Sequence, residues 1–118
     1  MFLNARNFNH YIGDWDTSSV TNMTSMFHYA TNFNQEIGNW DVSSVTNMSG
    51  MFISTQFNGD ISNWDVSNVT DMARMFWSSP FNGNLSSWEV SNVTNCDDFL
   101  LNTPQWTLPK PNFTNCTP

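Results

Sequence analysis

The residues with the most chemistry in this chain are few, and most of them recur. Its two cysteines, Cys96 and Cys116, stand 20 residues apart and form neither a CxxC redox motif nor a zinc-ligand spacing. The expected state is a disulfide that pins the C-terminal segment across the last apolar layer, worth about 3 kcal/mol for a loop of this size. One buried and one exposed free thiol is the alternative. Four carboxylates, Asp16, Asp41, Asp65 and Glu89, each follow a tryptophan directly. On an extended segment they would point outward in one column about 4.8 Å apart, repelling by about 1 kcal/mol per neighbouring pair in water. Local hydrogen bonds from Ser43, Ser67 and Ser91 would compensate for that repulsion. Calcium bridging at Asp41 and Asp65 is the second reading, but no spacing here resembles a calcium loop. The residues therefore argue for no metal and no cofactor.

Asn9, Asn34, Asn58 and Asn82 each follow a phenylalanine and suit a ladder that bonds successive turns. Tyr11 and Trp77 occupy positions that vary between copies, where exposed aromatic groups could stack on a sugar or a protein partner. His10 and His28 are isolated, and the five glycines form no phosphate loop. No catalytic constellation emerges, so the chain reads as a non-enzyme. Asn-x-Ser/Thr sequons are frequent because Asn, Ser and Thr are, and Asn112 and Asn115 are the expected accessible ones.

What must position these residues is a repeat. Phe8, Phe33, Phe57 and Phe81 open four copies at separations of 25, 24 and 24, and Trp15, Trp40, Trp64 and Trp88 follow seven residues later. Val20, Val45, Val69 and Val93 come next, then Met23, Met48, Met72 and Cys96, then Met26, Met51, Met75 and Phe99. A period of this size predicts a solenoid, each unit burying its apolar face only against its neighbours. The units are 8–32, 33–56, 57–80 and 81–104, with a partial unit 1–7. The solenoid spans 1–101, and a Pro-rich C-terminal cap follows at 102–118. MFLNARNFNHYI (1–12) aligns onto MFHYATNFNQEI (26–37), so Met1 fills a methionine slot inside a repeat. The chain reads as starting mid-unit, either an excised piece of a longer array or a small protein without an N-terminal cap. An uncapped end is expected to self-associate end to end.

Within a unit, Ile61, Trp64 and Val66 match the LxxLxL portion of a leucine-rich repeat and predict a short strand. Equivalent strands would stack as a parallel sheet. Ser67–Thr70 reads as a polar turn suited to capping a helix, and Met72, Met75 and Phe76 fall at helical spacing. In the first copy Met23, Met26, Phe27 and Ala30 extend that spacing. The predicted fold is thus an α/β, leucine-rich-repeat-like solenoid, with a parallel sheet on one face and short helices or turns on the other.

FNQEIGNWDVSSVTNMSGMF (33–52) and FNGDISNWDVSNVTDMARMF (57–76) resemble the repeat of BspA-like leucine-rich-repeat surface proteins. They resemble more closely the roughly 25-residue surface-protein repeat of unknown function catalogued in mycoplasma lipoproteins. The likeness covers residues 1–101. It implies a secreted or cell-surface protein with adhesive or matrix-binding roles, and it supplies no catalytic residues.

Composition narrows the partners. The net charge is −7, with Arg6, Arg74 and Lys110 the only Lys or Arg, which argues against nucleic acid. No apolar run is long enough to span a membrane, and no signal peptide is visible. The expected function is a binding or adhesion module for a protein or glycan on a cell or matrix surface, acting through the face with the acid column. A purely structural spacer or self-assembling element is the alternative.

Overall fold

A computed structural model describes all residues, 1–118. Its architecture corrects the predicted one. There is no helix and no multi-residue strand. In place of a parallel sheet, single parallel pairings link Asn22 to Asn47, Asn47 to Asp71 and Asp71 to Asn95. The leucine-rich-repeat-like α/β solenoid is therefore not formed. What the chain forms is a pile of irregular rungs, each a succession of tight turns, with equivalent residues lying over one another.

The reason is where the backbone N–H groups go. A parallel ladder needs N–H groups to cross in both directions between partners. Here Met23, Ser25, Phe27 and Tyr29 donate to the carbonyls of Asn47, Ser49, Met51 and Ile53 in the following rung, at 2.8–3.0 Å. The N–H groups between them turn back on their own rung: Met26 donates to Met23, His28 to Ser25 and Ala30 to Phe27. The same alternation recurs from Met48 to Ser54 and from Met72 to Ser78. Thr46, Thr70 and Thr94 donate backward, to Thr21, Thr46 and Thr70, and Asn95 adds a longer backward bond to Thr70 at 3.4 Å, so reciprocal pairing is confined to this one place in each rung. These threonines cap no helix. Their hydroxyls join their N–H groups on the same carbonyls.

The predicted helix fails for a related reason. Ser25, Gly50, Arg74 and Asp98 hold φ between 55° and 65° at one equivalent position, and Tyr29, Ser54, Ser78 and Asn102 hold similar values at another. A left-handed residue every four or so ends each turn before an i to i−4 bond can form. Met72, Met75 and Phe76 still face inward, because i and i+3 also meet across a tight turn. The expected strand around Trp64 and Val66 is likewise two turns, closed by Trp64 N–H to Ile61 O and Val69 N–H to Val66 O.

The core that results is continuous and largely aromatic. Phe2, Phe27, Phe52 and Phe76 stack at centroid separations of 5.5, 5.8 and 5.5 Å. Phe8, Phe33, Phe57 and Phe81 form a second column at 5.9, 6.1 and 6.1 Å. Trp40, Trp64 and Trp88 are buried, and each indole Nε1 donates at 3.0 Å to a carbonyl of the previous rung, Ile12, Ile37 and Ile61 in turn. Trp15 departs from the inward expectation: with no rung on its outer side it is 43% exposed.

At the other end, residues 102–118 lie across the last rung. Trp106 Nε1 donates to Gly83 O, and Leu85 N–H donates to Pro109 O. Phe113 packs edge-on against Phe99 at 5.0 Å. The Cys96–Cys116 disulfide is present, with Cα atoms 5.9 Å apart and no free cysteine.

Candidate functional site

The asparagine ladder exists as drawn from the sequence. Asn34, Asn58 and Asn82 each donate their N–H to the Oδ1 of Asn9, Asn34 and Asn58 respectively, at 2.8–3.1 Å. The ladder continues into the tail, where Thr107 and Leu108 donate to Asn82 Oδ1.

The acid column is exposed and held locally. Asp16, Asp41 and Asp65 each accept two bonds on Oδ1, from the N–H and the hydroxyl of Ser18, Ser43 and Ser67, at 3.0 and 2.6 Å. Glu89 accepts from the N–H of Ser91 through Oε1. These bonds favour the ionised form. The serine hydroxyls and N–H groups hold all four carboxyls below their ordinary range. At Asp41 the charges of Asp16 and Asp65 push the other way and lose. Asp60 is held down in the same manner by Ser62. One oxygen of each aspartate remains free of these contacts and faces water. No group of three or more His, Cys, Asp or Glu is close enough to hold a metal ion.

Tyr11 and Trp77 are not brought together. Tyr11, 55% exposed, lines a shallow groove with Glu36, Gly38, Asn39, Asp60 and Asn63. Trp77 lines another with His28, Tyr29, Ile53, Ser54, Arg74 and Ser78. Neither groove includes Asp41 or Asp65. Glu89 borders a third, against Asn112 and Thr114 of the tail.

The groove at Trp77 holds features that repeat counting misses. Arg74 lies 5.5 Å over the Trp77 ring and 3.7 Å from Asp98, and Arg6 lies 5.7 Å over Tyr29. His28 packs on Tyr29 at 4.3 Å, and burial pushes its imidazole below the ordinary value. Two of the three basic residues therefore lie beside exposed or half-exposed aromatic rings. The signal was available in sequence: Arg74 stands where the two preceding copies have Ser25 and Gly50, and Trp77 stands where they have His28 and Ile53. Of the sequons, Asn115 is engaged through Nδ2 with Ser91 O, while Asn112 is exposed. No helix is long and apolar enough to cross a membrane.

Residues 1–111 match a family model described as Mycoplasma protein of unknown function, DUF285. No curated protein and no solved structure matches the chain.

Proposed function

We propose that this chain, which belongs to the DUF285 family, is a non-enzymatic binding module of a secreted or cell-surface protein, taking a protein or glycan ligand. The observation that carries this reading is the groove in which Tyr29, Ile53 and Trp77 stand together with Arg74. It gathers one set of positions that differ between copies, His28, Ile53 and Trp77, on a scaffold held by packing and by ladders. An aromatic shelf flanked by a guanidinium suits the face of a sugar ring or an acidic peptide. Likeness of the WDVS…VT string to BspA-like surface proteins supports the extracellular location and the adhesive role. The acid column is the second surface, since its free oxygens would meet a basic partner.

Glycan and matrix-protein arrays probed with the full chain test the reading. Ligands retained by Asp41→Asn/Asp65→Asn and lost in Tyr29→Ala or Trp77→Ala, with unchanged melting, assign the groove. The reverse pattern assigns the acid column. Absence of any ligand on such arrays favours a structural spacer, for which the continuous asparagine ladder and phenylalanine columns are the specific observation.

A further inference from the structure

The groove at Trp77 is half of a longer trough. A cleft of about 350 Å³ opens beside it and shares His28, Ile53 and Arg74 with it. This cleft crosses all four rungs, from Ser25 through Ser49 and Asp71 to Asn95 and Asp97. The joined trough therefore follows the pile for three rung steps, about 14 Å at the usual spacing of paired chains. Its walls are where the copies disagree. Thr24, Ser49, Ala73 and Asp97 form one column, Ser25, Gly50, Arg74 and Asp98 the next, and His28, Ile53, Trp77 and Leu101 a third. No residue type occurs twice within any of the three.

The chemistry of the trough sorts its ligands. Its backbone is already spent, since the N–H groups of Ser25, Gly50 and Arg74 donate to the Ser49, Ala73 and Asp97 carbonyls one rung on. A peptide held as an added strand needs such groups free, so binding here falls to side chains. The Ser25 and Ser49 hydroxyls and the Asp97 carboxylate line the cleft without a protein partner, whereas the Ser43 and Ser67 hydroxyls are held by Asp41 and Asp65. Asp71 and Asn95 use only Oδ1, on the N–H groups of Ala73 and Asp97. Charge narrows the choice further. Asp71, Asp97 and Asp98 outnumber Arg74, whose guanidinium lies 3.7 Å from Asp98 and 5.5 Å over the Trp77 ring. Anions, an acidic peptide among them, are repelled, and a basic segment would meet Arg74 at the centre. A neutral sugar suits both halves: its hydroxyl rim meets the free hydroxyls and carboxylates, and its face meets Tyr29 and Trp77.

Taking the groove at Trp77 as the binding site, we propose that the whole trough holds a neutral, linear polysaccharide lying along the pile. A pyranose ring is about as long as a rung is high, so about three successive sugars meet successive rungs. Asp71 and Asp97 accept from sugar hydroxyls, Asn95 Nδ2 donates, and Arg74 donates to oxygens where the two halves join.

Calorimetric titration of the full chain with neutral linear oligosaccharides of glucose, N-acetylglucosamine and mannose, from disaccharide to hexasaccharide, tests it. One series is expected to bind, with affinity that rises with length, levels off once the trough is filled, and is unchanged by added salt. Asp97→Ala removes an exposed side chain without protein partners, so melting should be unchanged while binding weakens about tenfold. Trp77→Ala should weaken it at least as much. Full affinity retained by both Asp97→Ala and Ser49→Ala would overturn the trough. Binding of an acidic or basic decapeptide, or of a heparin fragment, that Trp77→Ala abolishes would overturn the neutral sugar and leave the groove standing as the site. Oligosaccharide binding lost in Asp41→Asn/Asp65→Asn but kept in Trp77→Ala would overturn both. No binding of any of these oligosaccharides at about millimolar concentration would overturn the neutral sugar outright.

Discussion

Each buried tryptophan performs two tasks, and they separate on mutation. Trp64 fills the layer between Phe52 and Trp88, at 6.5 and 6.4 Å, and satisfies the Ile37 carbonyl one rung away. Trp64→Ala is expected to cost about 3–5 kcal/mol in urea unfolding, since it opens a cavity and leaves that carbonyl unpaired. Trp15→Ala should cost far less, because its ring is already 43% exposed. The carboxyl groups give a pH dependence of definite sign. Asp16, Asp41, Asp60, Asp65 and Glu89 all sit below their ordinary values when folded. Their contribution is complete above the ordinary carboxylate range, about pH 4, and is lost as pH falls through the depressed values. Melting temperature should therefore decline slightly from neutrality to about pH 5, where the half-buried His28 resists protonation, and more steeply below about pH 4 as the carboxylates protonate. Ser43→Ala/Ser67→Ala should shallow that decline. At this scale the sequence is highly legible, because side-chain roles follow residue type: Asn for a ladder, Asp followed two residues on by Ser for a closed local loop, Trp for the core. The groove at Trp77 was less legible, since what joins Arg74 to Trp77 and Tyr29 is three-dimensional packing.

Between the residue and the fold lies the turn, where sequence reasoning erred. Met72, Met75 and Phe76 carry helical spacing, and Trp64 and Val66 carry the alternation of a strand. Both patterns state which side chains face inward, and both are right about that. Neither states the backbone path, because a chain of tight turns buries the same positions. The deciding feature was φ at Ser25 and Arg74, residues with no sequence mark of left-handed preference beyond their alignment with Gly50 and Asp98. That alignment suggests an experiment. Ser25→Gly is expected to stabilise the protein by about 1 kcal/mol, relieving the left-handed cost of a residue with a Cβ. Gly50→Ala should destabilise it by a similar amount. Thermal melts of the two variants check both signs, and equal and opposite shifts are the expected outcome.

For the whole molecule, stability accumulates from one rung to the next, and the last rung is secured covalently. Cys96→Ser/Cys116→Ser is expected to lose about 3 kcal/mol on the chain-entropy account. It should also release residues 102–118 to limited proteolysis before the rest of the chain. Intact protection of that segment in the double variant would show that Trp106 and the asparagine ladder hold it unaided. A larger consequence follows from the way each rung hands its N–H groups to the next. Met23, Ser25, Phe27 and Tyr29 point forward, against Asn34 and Thr46 pointing back, and this bias repeats along the pile. Peptide dipoles aligned this way add rather than cancel. The molecule therefore carries an axial dipole with its negative pole at Met1 and its positive pole beyond Leu101, the reverse of an α-helix read in chain order. Arg6 lies near the pole that favours a cation.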